Sequence, residues 1–231
     1  MTPTATLLPL LWLASPALPV GAFSYSEGLE AAVDDGWVHD ERSAGDWIVD
    51  QLHLSVARAE LPVIARACLA ARSGDATALR LLDDWVHHSR ESAELRLQTE
   101  QIGHGVWAWL EALGARPHPC WPDPTSPTHP VALGMALALQ TPADTPLEAA
   151  LAALAFGWAE NAVQAAIKAV PLGQAAGQRI LRRLVAEIPD AVAEALRRAD
   201  DPSPLALQAF TPGLALLSSR HETQYSRLFR S

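Results

Sequence analysis

Helix-length runs of Ala, Leu, Arg, Glu and Gln fill most of this chain, cut at proline or glycine. Alternation of β-branched with polar residues is scarce. Straight-chain residues lose little rotamer freedom in a helix, and without a period-two pattern there is no half-buried strand to pair. The punctuation then gives the elements. A short helix is expected near 5–14, followed by an extended Pro-rich link over 15–23. "SYSE" (24–27) reads as a capping box, with Ser24 as cap and Glu27 reaching back, and its helix ends before Gly36. Helices follow near 41–59 and 61–73, the second opening at Pro62. Asp75 caps another, to about 88, and the next runs near 90–113 and stops at Gly114. Residues 114–130, "GARPHPCWPDPTSPTHP", hold six prolines and read as a loop, the best place for a mobile segment. A helix is expected near 131–140. Thr145 then caps a long one, with Pro146 in its first turn, running to about Val170. Pro171 breaks it; a second helix continues to about 187, and Pro189 opens a further one to about 200. Residues 203–217 are partly helical. No repeat of fixed period occurs. The sum is an all-α, single-domain bundle of about ten helices over 1–219, ending in a tail at 220–231.

Charge narrows the function classes. The chain carries −9 at neutral pH, with a pI of about 5.3, which argues against general binding to nucleic-acid phosphates. The tail is the exception: Arg220, Arg227 and Arg230 against Glu222 give +2, so residues 1–219 carry −11. Cys68 and Cys120 form no CxxC and no disulfide framework, as in a reduced, cytoplasmic protein. The apolar start, "LLPLLWLASPALPVGAF", lacks the basic flank of a secretory signal, since the first positive side chain is Arg42, and prolines interrupt it too early to span a bilayer.

Catalytic signatures fail in turn. "HETQY" (221–225) resembles a zinc-protease HExxH, but Tyr225 replaces the second His. Ser218, Ser219 and His221 lie in no GxSxG elbow. No P-loop exists; the single lysine, Lys168, is followed by Ala. His118, Cys120 and His129 share the Pro-rich loop, three borderline-soft groups of a kind that suits Ni²⁺ or Zn²⁺. Their spacing matches no closed site, so an ordinary exposed loop is the better account of them.

Two stretches carry more. In "ENAVQAAIKAVPLGQAAGQRIL" (160–181), Glu160, Asn161, Gln164 and Lys168 recur at three and four residues, one polar stripe on an Ala-rich helix. Gln174 and Gln178 continue the period, with Gly173 and Gly177 leaving room for another backbone. A chain with 17 basic residues and one lysine gives that lysine weight, since a compact ammonium differs from a planar guanidinium. In the tail, Tyr225, Leu228 and Phe229 stand at i, i+3 and i+4, so a helical tail would carry one apolar face beside Arg227 and Arg230. Burying each of these groups is worth about 1.5–3 kcal/mol, so the body of the chain or a partner should cover them.

Taken together, "LASPALPVGAFSYSEGLE" (13–30), "ENAVQAAIKAVPLGQAAGQRIL" (160–181) and "SRHETQYSRLFRS" (219–231) resemble the UreF urease accessory proteins. "SRESAELR" (89–96) is similar to an internal segment of that family, with Ser92 where Thr is more usual. The motifs fall at the start, middle and end, in family order. The Pro-rich loop has no firm counterpart. The resemblance implies an all-α homodimeric scaffold with no catalytic centre and no cofactor of its own. It binds a second accessory protein, UreD or UreH, recruits the GTPase UreG, and couples GTP hydrolysis to Ni²⁺ delivery into apo-urease. It also implies that Arg220, His221, Glu222, Tyr225, Arg227 and Phe229 dock UreD/UreH. Lys168, Gln174, Gln178, Tyr25 and Glu30 are then candidates for the GTPase. Removing 220–231 is expected to abolish partner binding and leave the fold largely intact. Three alternatives stay open: a chaperone that itself holds Ni²⁺ through His118, Cys120 and His129, a hydrolase built on Ser218 and His221, and direct activation of the GTPase by an Arg or Lys168.

Overall fold

The computed structural model describes residues 4–115, 121, 125–203 and 205–230, and no strand occurs among them. The chain is all-α. The helices are α1 (Thr4–Leu13), α2 (Leu29–Asp34), α3 (Glu41–Gln51), α4 (Leu61–Ser73), α5 (Ala76–Ser89), α6 (Ala93–Ala112), α7 (His129–Gln140), α8 (Leu147–Ala169), α9 (Gln174–Asp200) and α10 (Pro212–His221).

Several ends form as their residues dictate. The Asp75 carboxylate accepts the Ala78 N–H at 2.9 Å and starts α5. Asp40 and Ser43 close a reciprocal box at the start of α3, at 2.8 and 3.0 Å. Gly74 ends α4 with φ at 74°, where a side chain would be strained.

Other ends differ from the sequence expectation. The "SYSE" capping box does not form: residues 22–24 make a single 3₁₀ turn, Glu27 takes φ 53°, and α2 begins only at Leu29. Pro62 opens no new helix. A π-helical stretch, Leu52–Glu60, joins α3 to α4, so Pro62 sits inside a continuous helical run from Glu41 to Ser73. Thr145 does not cap α8; Pro146 takes that position, and the Thr145 hydroxyl is buried without a partner. Pro189 does not start a helix either. It lies within α9, and it and Val185, whose carbonyl it deprives of a donor, are both on the solvent side. The far end of α9 is held by Arg66 of α4, which donates to Ala199 O at 3.1 Å and Arg198 O at 2.8 Å.

α7 lies along α4, α8 along α9, and α6 along α7, with α9 crossing the π-helical stretch, α4 and α3. The core between them is built of Ala and Leu with few large rings, including Leu52, Leu61, Leu79, Leu137, Leu151 and Leu184. α8 is long and apolar enough to cross a membrane by length and composition alone, but its face at Ala150, Leu151, Leu154 and Val163 is buried inside the bundle. One end of the bundle, where α2, the start of α6, the end of α8 and α10 converge, receives the C-terminal segment.

Candidate functional site

α10 delivers His221 into the interior at its last residue, fully buried. Glutamates wait on both sides. Nδ1 lies 3.0 and 2.9 Å from the two carboxylate oxygens of Glu94, in the first turn of α6, and Nε2 lies 3.3 Å from Glu30 Oε2, on α2. Acceptors face both ring nitrogens, so both can donate only as the imidazolium. Beyond His221 the chain is not helical. Its free backbone donors turn to Glu30, which accepts the Leu228 N–H at 2.7 Å and the Phe229 N–H at 2.9 Å, with Gln224 Nε2 at 3.4 Å. Arg227 donates to Glu94 Oε1 at 3.0 Å. Glu222 accepts the Ala93 N–H at 3.0 Å, Ser92 and Ser218 share a hydrogen bond of 2.7 Å, and Arg220 pairs with Asp35. The Arg230 N–H donates to Ser24 O at 2.8 Å. Two buried carboxylates are thus met by a histidine, a guanidinium and backbone amides, the conditions under which a buried charge is tolerated.

The expected helical tail with one apolar face is therefore corrected. A helix through 228 and 229 would spend on its own carbonyls the N–H groups that Glu30 accepts. Instead Phe229 turns inward, 7% exposed, while Tyr225 and Leu228 face solvent. Lys168 covers Phe229, its Nζ 5.8 Å from the ring centroid, within cation–π range. Tyr25 is buried beneath, its hydroxyl donating to Gln101 Oε1. The structure thus brings Tyr25, Glu30 and Lys168 together with Arg220, His221, Glu222, Arg227 and Phe229. Gln174 and Gln178 are not part of the cluster; they lie exposed in the first turns of α9.

The polar stripe is only partly solvated, since Asn161 turns in to donate to Ala22 O at 3.2 Å. Gly177 does permit a close approach, but by the Ile167 side chain rather than a backbone: a Cβ there would fall 2.4 Å from Ile167 Cδ1. Sequence reasoning missed Glu94, the second wall of the cluster. An acidic residue just after an N-cap is ordinary in any helix, and nothing local marks it as buried.

A cavity of about 180 Å³ adjoins this region. The Glu27 carboxyl lines it, accepting from Gln98 Nε2 at 3.1 Å and Trp158 Nε1 at 2.9 Å, and burial raises its pKa. Glu60 and Arg90 pair at 2.7 Å on its wall. His129, the first residue of α7, also lines it, and burial lowers its pKa. His118 and Cys120 lie outside the described residues. Among the described residues no group of three or more His, Cys, Asp or Glu is placed to hold a metal ion. The hydrolase arrangement does not form: His221 gives both nitrogens to carboxylates, and Ser218 bonds Ser92.

The UreF family model matches residues 38–185. The chain is 56% identical over 234 residues to the urease accessory protein UreF of Methylibium petroleiphilum, covering 100% of this chain and 96% of that protein. It is 55% identical over 232 residues to the protein of the same name from Polaromonas sp., covering 99% and 96%. It is also 47% identical over 237 residues to the bifunctional urease accessory protein UreEF of Bordetella bronchiseptica, covering 100% of this chain and 54% of that protein.

Proposed function

This chain belongs to the UreF family of urease accessory proteins, which are not catalysts, and on that premise we propose that it is a scaffold for nickel insertion. As a cytoplasmic homodimer it binds UreD/UreH through its C-terminal tail. The pair recruits the GTPase UreG and couples GTP hydrolysis to delivery of Ni²⁺ into apo-urease. The chain holds no cofactor itself, and the nickel is cargo of the assembly. Gln174 and Gln178, on α9 away from the tail cluster, remain its candidates for the GTPase contact.

The observation that carries this reading is the form of the tail. Residues 222–230 have no helix of their own, yet buried carboxylates fix them at several points, while Tyr225 and Leu228 stay in water. Ordering a segment costs conformational entropy, and leaving large apolar groups exposed forgoes burial energy. A segment that does both suits presentation to a partner.

The test is co-expression with UreD/UreH and UreG, with assembly mass read by light scattering. Full-length chain should give a complex with paired copies of each protein. A chain lacking 223–231 keeps His221 between its carboxylates, and it should stay folded by circular dichroism but no longer join the complex. Retention of UreD/UreH by that truncation would overturn the tail as dock.

A further inference from the structure

Glu30 meets the tail at four points. Its Oε1 accepts the Leu228 N–H and Gln224 Nε2, and its Oε2 accepts the Phe229 N–H and faces His221 Nε2. Glu30 is 5% exposed, so it lies beneath the tail and not at its outer surface. Glu94 makes the second anchor, through His221 and Arg227, and is also buried. The tail residues consequently divide into two sets. His221, Gln224, Arg227 and Phe229 are spent on the chain's own body. The side chains of Tyr225 and Leu228, residues 105% and 70% exposed, face solvent.

Of the acids at this corner, Glu30 and Glu94 are buried, Asp35 pairs with Arg220, and Glu222 accepts the Ala93 N–H. The cations are not all used. Among the described residues the Lys168 ammonium meets the ring of Phe229, the Arg230 guanidinium reaches Gln101 at 3.5 Å, and neither side chain is in an ion pair. Leu97, 51% exposed, borders the same shallow hollow as Arg227, Phe229 and Arg230. A chain of net charge −9 thus presents here a small apolar surface edged by unpaired positive charge.

We infer that Glu30 is a positioning residue, which holds the tail so that Tyr225 and Leu228, flanked by Lys168 and Arg230, form the contact surface for a protein partner carrying carboxylates around an apolar hollow. This rests on the reading of the tail as a dock and assigns its residues different work. Glu30 and His221 set the shape of the surface without touching the partner. Tyr225 and Leu228 touch the partner without setting the shape. Positive charge at the edge steers an acidic partner and rejects a basic one.

Full-length protein tests this with two readouts, hydrogen exchange of the 223–231 peptide and affinity for UreD/UreH. Glu30→Gln keeps one acceptor oxygen but loses the charge and turns an amide NH₂ toward donors. It should speed exchange of that peptide and weaken partner binding, each by about tenfold, the scale of one lost charge-assisted hydrogen bond. The double variant Tyr225→Ala/Leu228→Ala alters only exposed groups. It should leave exchange unchanged and still weaken binding by about tenfold or more. Lys168→Glu with Arg230→Glu should weaken binding further at low salt than at high salt. Unchanged exchange in Glu30→Gln would overturn the anchor. Unchanged binding in the double variant would overturn the contact surface, and stronger binding in the charge-reversed variant would overturn the acidic partner. The underlying dock fails separately, if the chain lacking 223–231 still binds, and the exchange result stands whatever that outcome.

Discussion

Glu27 shows how much one residue can hide from its neighbours in sequence. "SYSE" has the residue types of a capping box, but Glu27 stands at φ 53°, a region non-glycine residues seldom enter, and turns its carboxyl into the cavity beside Trp158 and Gln98. No local signal forecasts this, because the alternative partners come from α6 and α8. Burial is the largest influence on the group and raises its pKa above the ordinary 4.5. The sign follows from proton uptake. Between 4.5 and the raised value the folded chain keeps a proton that the unfolded chain has released, so stability falls as pH rises through that window. Glu27→Gln removes the titration. Urea unfolding across that range should show wild type losing stability relative to the variant as pH rises; parallel curves would refute it.

Among the elements, the proline rule worked at some places and failed at others for one reason. Proline at a helix start costs nothing, and the sequence gives no way to see whether an interior proline faces solvent. Pro189 does, and α9 continues through it for 27 residues in all. Glycine carries the opposite lesson. Gly134 of α7 looks like a weak point in a helix, yet a Cβ there would lie 2.6 Å from the Ile64 carbonyl oxygen and 2.7 Å from Ala67 Cβ of α4. Gly134→Ala should gain about 1 kcal/mol of helix propensity and lose about 1–3 kcal/mol to overpacking against backbone that cannot yield. The clash wins, so the expected result is a lower Tm. An unchanged or raised Tm would mean that α4 and α7 can separate at little cost.

For the molecule as a whole, the division into a body at 1–219 and a tail at 220–231 cuts through a buried cluster. Removing residues from 220 onward takes away His221 and Arg227 and uncovers Glu30 and Glu94 to water, so the loss is at most that of breaking a buried pair whose remaining charge stays buried, about 3–5 kcal/mol. Removing only 223–231 spares His221. The shorter truncation still loses Arg227, the Leu228 and Phe229 amides and the buried Phe229 ring, so thermal unfolding should place it below wild type and the longer one lower still. Equal midpoints would show that the cluster contributes little to the fold. The sequence by itself determined the helical class, the family, most helix positions and the special standing of the tail, because helix propensity, apolar period and motif all reside in short stretches. Only the tertiary structure decided which tail residues turn inward and which stay in water. That depends on two glutamates meeting the tail from α2 and α6, Glu30 standing 191 residues from His221 and Glu94 standing 127, and a carboxylate's burial is a property of that meeting rather than of its neighbours in the chain.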